Sequence, residues 1–575
     1  MQCIDTRLCS LYKKIIIKSM KILLVAINAK YIHSNPAVHS LKAYAKEHEA
    51  HIAIAEYTIN HSVERVRGDI FRRQPDVVAF SCYIWNITHV EELVIDLRNI
   101  LPDVDIWLGG PEVSYDPADV LARLPVTGVL VGQGEFSFAQ LVSSYARGDA
   151  IPGRVILPEQ RVDLDQIPFW YDDLKEFCNR IIYYESSRGC PFSCSYCLSS
   201  IDKHLSFRDV EMVKREMDFF LDRQVPLVKF VDRTFNCKKQ HALAIWKHLL
   251  EHDNGVTNFH FEVAADRMDE EMLAVLEQMR PGAIQLEIGV QSTYEKTVNE
   301  IHRKMDFERI RSVVKRINSW HNIHQHLDLI AGLPFEDYEH FSQSFNGVYA
   351  LEPEQLQLGF LKVLKGSHMQ QRANEYELIY TRKPPYEVLS SKWMDYGQIL
   401  KLKRIEEVLE LYYNSGQYTH TLQQLVQVFA TPFSMYEALA DYYDIHGLFG
   451  IQTSRVKKYE ILLEFALQWD PAQEGKYREL LIYDLYLREH MKNRPGFGKD
   501  PKKHKERIQA VMMAEAKGHT ILKGYDNFNY RELVKAVHVE CFEELWDDAY
   551  LVIFDYQSKD ALTKNVKTIK QRIPF

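Results

Sequence analysis

Three thiols spaced C-x3-C-x2-C, those of Cys190, Cys194 and Cys197, lie in the stretch Arg188-Gly189-Cys190-Pro191-Phe192-Ser193-Cys194-Ser195-Tyr196-Cys197. Thiolates crowded in this way are metal ligands first. A [4Fe-4S] cube is normally held by four thiolates. Here three lie together and the nearest other, Cys178, stands outside the loop, which leaves one iron open to a substrate or cofactor. Gly189, Pro191 and the small Ser193 and Ser195 let the backbone fold tightly around a bulky group. Structural zinc is a second reading, but it takes paired C-x2-C units or Cys/His sets with four ligands, and Cys194 and Cys197 have no matching pair. A disulfide is a third. An odd total of nine cysteines in a long chain without a secretory pattern points instead to a reducing compartment.

At these residues the chain resembles the radical S-adenosylmethionine (SAM) superfamily, whose C-x3-C-x-aromatic-C signature is matched with Tyr196 as the aromatic. The resemblance implies that Cys190, Cys194 and Cys197 hold the cluster and that SAM chelates the open iron. Around the loop the sequence alternates strand and helix patterns. Strands are predicted at 181–186, 227–231, 258–263, 283–289, 324–330 and 355–360, with helices at 210–223, 241–252, 272–279 and 307–319. This is the pattern of a βα barrel or a section of one, with its working residues at the carboxyl ends of the strands. Several of those ends resemble the superfamily's SAM-binding positions. Asp232 matches the segment near the methionine amino group, and Glu287, Gln291 and Ser292 match the segment at the ribose and carboxylate. Gly332 matches the motif beside adenine, and Tyr196 completes the implied set. Glu262 and Arg267 are weaker candidates, and His324 and His326, alternating on one strand face, read better as packed residues than as proton donors.

Upstream, Ile22-Leu23-Leu24-Val25-Ala26-Ile27 is a continuous apolar run, the mark of a strand buried on both faces of a parallel sheet. Further strands at 51–56, 77–81, 105–108 and 128–131 alternate with helices at 36–48, 63–73 and 89–101, giving an open, doubly wound sheet. Unusual residues cluster at the carboxyl ends of its strands, where such sheets bind ligands: 28–35, 81–86, Gly109-Gly110-Pro111-Glu112 and Gly132-Gln133-Gly134-Glu135. Together they resemble the cobalamin-binding domain fused to many radical SAM enzymes. That resemblance implies cobalamin contacts from Asn28, Ser34, Ser81, Gly109, Gly110, Gly132 and Glu135. The Asp-x-His-x-x-Gly triplet that ligates cobalt from below is absent from this loop, so His33 is expected to be a surface or loop-ordering residue and cobalt to lack a lower histidine ligand.

The 575 residues exceed one core, and 46% hydrophobic with 26% charged residues is ordinary globular composition. A net charge of −9 argues against a nucleic-acid partner, and no apolar run reaches the length needed to span a bilayer. The expected organisation is an N-terminal extension over 1–19, with Met20 as an alternative start, followed by a Rossmann-like cobalamin-binding domain over 20–147. A Pro- and Gly-marked linker follows over 148–183, then a radical SAM partial βα barrel over 184–370 and a mainly α-helical domain over 371–575. That last part is rich in tyrosine, carries amphipathic helices within 393–492 and short strands at 537–542 and 550–556, and resembles an uncharacterised extension of one cobalamin-type subgroup. Its basic segment 493–507 is expected to be a solvated loop.

The implied activity is reductive SAM cleavage to a 5′-deoxyadenosyl radical, followed by methylation of an unactivated carbon in a small molecule or peptide. The electron would come from a flavodoxin or ferredoxin, in the cytoplasm. Rearrangement, cyclisation or oxidation without methyl transfer, a non-catalytic iron-sulfur scaffold and an RNA-modifying enzyme are the alternatives. No side chain is assigned a catalytic role from sequence.

Overall fold

The computed structural model describes residues 20–499, 501–518 and 520–573; the predicted extension over 1–19 lies outside them. The described chain divides into two compact units, one of residues up to Glu262 with Lys362–Leu389, the other of Val263–Leu361 with Ser390 onward. The division runs through the strand-helix repeat expected as one barrel domain.

The first unit begins with the parallel sheet. Its elements are β1 (Ile22–Asn28), α1 (Pro36–Tyr44), β2 (Ile52–Thr58), α2 (Val63–Arg73), β3 (Val77–Ser81), α3 (Ile87–Ile100), β4 (Asp105–Gly109), the short α4 (Pro111–Ser114) and α5 (Pro117–Arg123), β5 (Gly128–Leu130), α6 (Gly134–Arg147) and β6 (Val155–Ile156). Strand order is β2-β1-β3-β4-β5-β6, every pair parallel. The apolar run of β1 divides by parity. Leu23, Val25 and Ile27 join a core with α2 and α3, while Ile22, Leu24 and Ala26 face Val38 of α1 and Phe138 and Leu141 of α6. Sheet order reverses direction between β1 and β3, and that switch point is where doubly wound sheets take ligands. Asn35 caps α1 through Val38 N (3.4 Å), with Pro36 at the first helical position. That helix stops at Tyr44, short of the expected 48, and a 3₁₀ turn over Lys46–His51 follows. β6 was not expected in so Pro- and Gly-rich a stretch; it pairs with β5 through two residues.

The same unit continues with β7 (Ile182–Tyr184), β8 (Ser187–Arg188), β9 (Ser206–Phe207), α7 (Val210–Asp222), β10 (Leu227–Phe230), α8 (Lys239–Glu251) and β11 (Asn258–Val263). β7, β10 and β11 are parallel neighbours. β8 and β9 pair antiparallel and close the cysteine loop between them.

The second unit takes up the repeat with α9 (Glu270–Glu277), β12 (Ile284–Gln291), α10 (Glu295–Glu300), α11 (Phe307–Trp320), β13 (Ile323–Ala331), α12 (Tyr338–Tyr349) and β14 (Gln355–Phe360), the three strands again parallel. Each strand is followed by a helix in chain order, as in a βα barrel. After α13 (His368–Gln371) and the small β15 (Ile379–Tyr380) and β16 (Val388–Ser390), which lie in or at the end of the segment belonging to the first unit, the second unit resumes with α14 (Tyr396–Leu409), α15 (Thr419–Val426), α16 (Pro432–Ile445), α17 (Arg455–Trp469) and α18 (Glu474–Arg488). Capping boxes at Asp395 and Thr431 start α14 and α16. Tyr412, Tyr418, Tyr436, Tyr443, Tyr459, Tyr477 and Tyr486 are fully buried among these helices, and Tyr412 and Tyr443 share a 2.6 Å hydroxyl bond.

The chain ends with α19 (Lys505–Gly518), α20 (Tyr530–Ala536) and the antiparallel β17 (Val537–Phe542), β18 (Tyr550–Lys559) and β19 (Val566–Arg572). The third strand and α19 were not expected. Within the basic segment Lys499 bonds Glu479 at 3.1 Å, Lys503 bonds Glu543 at 2.6 Å and Arg494 pairs with Glu540.

Candidate functional site

The cysteine loop is fixed at its root before any metal is considered. Asp232, two residues past β10 and only 1% exposed, accepts from Ser186 N (3.0 Å), Ser186 Oγ (2.7 Å) and Ser187 Oγ (2.5 Å). Burial pushes its carboxyl up to about 6, against three donors that favour the charged form. His241 Nε2 lies 3.1 Å from Ser186 Oγ, and burial, then Lys238, pushes this imidazole down to about 4, so it is neutral there. The aspartate expected at the SAM ammonium therefore also ties β10 to the strand that enters the loop.

Arg188 follows. Its guanidinium forks onto Glu185 (2.8 and 2.7 Å) and onto Glu135 (2.7 and 3.2 Å), so the first turn of α6 is tied to the residue two before Cys190. Burial would raise Glu135, but Arg188 beside it holds the carboxyl below its usual range. Ser40 Oγ adds a 3.0 Å donor. Gly189 has φ +100°, and a Cβ there would come within 2.0 Å of the His204 carbonyl oxygen, so the loop crosses itself where only glycine fits.

Cys190 and Cys197 are half-buried and Cys194 is 7% exposed; none of the three is in a disulfide, and Cys178 is exposed. Cys197 N bonds Cys194 O at 3.1 Å, Lys203 Nζ donates to Ser193 Oγ at 2.8 Å, and Met369 N donates to Ser195 O at 2.8 Å. The Ser195 hydroxyl is buried without a hydrogen-bond partner. Three thiols outside any disulfide, on a braced loop with the unpartnered Ser195 hydroxyl, fit a cube with one open corner.

At the switch point the residues expected at cobalamin fall into two kinds. Asn28, Ser34 and Ser81 are buried and bonded within the protein: Asn28 Nδ2 to Glu56 (2.6 Å) and to His33 O (3.1 Å), Ser34 Oγ to Ile181 O (3.1 Å), and Asn35 Nδ2 to Ser81 Oγ (3.2 Å). His33 orders the loop as expected, through a 2.5 Å bond with Tyr183. Gly109 ends β4, and Gly110 has φ +109° with Cys82 O only 2.5 Å from where a Cβ would stand. Gly132, at φ +75°, leads towards Glu135. Sequence reasoning marked the clusters 28–35 and 81–86 but assigned no role to their aromatic side chains. Trp85 stacks on Tyr83 (centroids 4.4 Å, 6° between planes), is anchored by Nε1 to Ile27 O (3.0 Å) and remains 41% exposed, with Tyr31, Ile32 and Tyr115 also exposed. The Trp85 and Tyr83 stack, one residue past Cys82, against whose carbonyl Gly110 turns, fits a large planar ring. Aromatic residues within 81–86 were the available clue.

In the second unit, Glu287, Gln291 and Ser292 lie along the end of β12 and Gly332 follows β13. A β-bulge falls between Gly289 and Gln291, and Gln291 has φ +74°, a left-handed conformation of the kind that re-aims side chains beside active sites. Ser292 Oγ donates to Glu336 at 2.6 Å, and Ser344 Oγ donates to the same oxygen at 2.9 Å. Glu336 is fully buried, its other oxygen has no hydrogen-bond partner, and burial pushes its carboxyl up to about 7. Sequence reasoning missed Glu336, though it stands four residues after Gly332.

Three family models match the chain in series: a B12 binding domain over 22–142, the radical SAM superfamily over 184–346, and a protein of unknown function (DUF4080) over 374–559. The fold and the loop thus define a radical SAM protein with a B12 binding domain. Beyond those two domains, the chain carries a C-terminal extension that matches DUF4080.

Among curated proteins it is 27% identical over 314 residues to 2-(S-pantetheinyl)-carbapenam-3-carboxylate methyltransferase of Streptantibioticus cattleyicolor, covering 46% of this chain and 44% of that protein. It is 26% identical over 313 residues to the cobalamin-dependent radical SAM methyltransferase TokK of Streptomyces tokunonensis, covering 47% and 44%. The chain therefore spans under half the length of these two relatives. Among solved structures, the cobalamin-dependent SAM radical enzyme OxsB, with aqua-cobalamin and SAM bound, shares the fold at TM-score 0.54 and 14% identity, over 81% of this chain and 83% of that one.

Proposed function

We propose that this protein is a cobalamin-dependent radical SAM enzyme that methylates an unactivated carbon of a small molecule or peptide. The observation that carries the reading is the loop of three cysteines outside any disulfide, closed between β8 and β9 and tied through Arg188 to Glu135 of the B12 binding domain. When bound, the cluster supplies an electron for SAM cleavage and cobalamin supplies a methyl carrier, so the difficult chemistry belongs to the cofactors.

The side chains bind and orient. Cys190, Cys194 and Cys197 would ligate three irons, with Asp232 and Ser186 fixing the strand that delivers them. Tyr196, Gln291, Ser292 and Glu287 would contact SAM, with Glu336 holding the Ser292 hydroxyl and Gly332 leaving room for adenine. Gly110 and Gly132 would let backbone approach the corrin, and the Trp85 and Tyr83 stack would cover its apolar edge. Among the described residues no helix is long and apolar enough to cross a membrane. Cysteines outside any disulfide and an exposed Cys178 suit a reducing cytoplasm with a flavodoxin or ferredoxin as electron donor.

The test is anaerobic reconstitution followed by a SAM cleavage assay. The expected outcome is 5′-deoxyadenosine from the wild type, with iron and cleavage both lost in the Cys190→Ala, Cys194→Ala, Cys197→Ala triple variant. Iron retained by that variant overturns the cluster assignment. Absence of corrin absorbance after incubation with hydroxocobalamin and desalting overturns the cobalamin part alone.

A further inference from the structure

We propose that helices α7 and α8 carry a site for one divalent transition-metal ion of the zinc class, made by Asp218, His248 and His252 and separate from the cluster and cofactor residues. One ligand atom from each of the three side chains lies within 4.8 Å of the other two. Residues four apart on a helix share a face. This places His248, in the last turn of α8, beside His252 at its C-cap, while Asp218 reaches across from α7.

His248 Nε2 is 2.7 Å from Asp218 Oδ1. Metal-ligand bonds of about 2.0–2.2 Å set two ligand atoms on one tetrahedral ion at a little over 3 Å, so small side-chain rotations suffice. A surface ion pair accounts for His248 and Asp218, but not for the second imidazole. His252 Nδ1 lies 3.0 Å from the backbone oxygen of His248, and a carbonyl only accepts, so Nδ1 carries the proton and Nε2 keeps its lone pair. An imidazole anchored to a backbone carbonyl through one nitrogen is the arrangement that presents the other to a metal. The two rings stack with centroids 4.2 Å apart. His248 donates Nε2–H to the carboxylate in the empty arrangement. On metal binding that proton moves to Nδ1 or to solvent, and the freed lone pair faces the ion. Two imidazoles and one carboxylate favour zinc, nickel or copper over magnesium or calcium, and the ion would clip the end of α8 to α7.

The test uses the full-length protein with its cluster reconstituted, equilibrated with zinc sulfate and desalted, with zinc and iron then measured on the same sample. The expected result is one zinc per chain at unchanged iron content. His252→Gln and His248→Asn should each weaken zinc binding roughly tenfold or more in competition with a chromophoric chelator. Asp218→Asn should also weaken it, and all three variants should keep the wild-type melting temperature without zinc and the wild-type rate of SAM cleavage. Zinc retained equally by the histidine variants, zinc gained only as iron is lost, or no zinc bound at all would each overturn the proposal.

Discussion

At the scale of single residues, Glu336 and Glu135 are buried carboxylates whose environments act in opposite directions. Glu336 has a folded value near 7, above that of an exposed glutamate, so its contribution to stability is complete below pH 4.5 and disappears as pH rises through 7. Glu336→Gln stays neutral at every pH and still accepts from Ser292. Relative to wild type it should gain about 3 kcal/mol between pH 5 and pH 8, read from urea unfolding curves at the two pH values. Glu135 is held low, so its contribution is present above 4.5 and is lost as pH falls through the depressed folded value. Glu135→Ala leaves Arg188 with one partner instead of two and should cost about 3 kcal/mol at neutral pH, measured in the same way, with a parallel fall in iron content on reconstitution. The cysteines were legible in the sequence because their spacing is local. The Arg188 to Glu135 pair was not, because it joins residues 53 positions apart through a fold that no short motif encodes.

At the scale of elements, what the sequence disclosed was decided by how strongly each segment was patterned. β1 was legible because all seven of its residues are buried. β19 was not: Val566-Lys567-Thr568-Ile569-Lys570-Gln571-Arg572 pairs only with β18 and carries three basic side chains, a composition that edge strands tolerate and that periodicity reads as loop. α19 was hidden in the same way, with two buried residues in fourteen. The turn after β4 gives a sharper test. Gly110→Ala adds a Cβ against Cys82 O in a left-handed backbone and should cost about 2–3 kcal/mol in thermal or urea unfolding, with loss of cobalamin retention. Gly148→Ala, also left-handed but with nothing within 4 Å, isolates the backbone cost and should lose about 1 kcal/mol while binding cobalamin normally.

At the scale of the whole molecule, the chain leaves the first unit at Glu262, returns over Lys362–Leu389 and leaves again. The returning segment is held to the B12 binding domain by Tyr386, whose hydroxyl donates to buried Glu112 at 2.8 Å, and by Lys365, 3.5 Å from Asp116. Tyr386→Phe should therefore weaken that domain by about 1–2 kcal/mol although the partners stand 274 positions apart, seen as a lower midpoint in urea with cobalamin absent. The tyrosines packed into the C-terminal helices have an optical consequence. Burial raises Tyr412, Tyr413 and Tyr436 well above the ordinary phenol range, so alkali cannot ionise those rings while the helices stay closed. In a spectrophotometric titration the phenolate band should grow in two stages, the exposed rings first and reversibly. The buried rings should follow in one steep step that marks the opening of the helical layer, which gives that layer a label-free gauge of its own integrity.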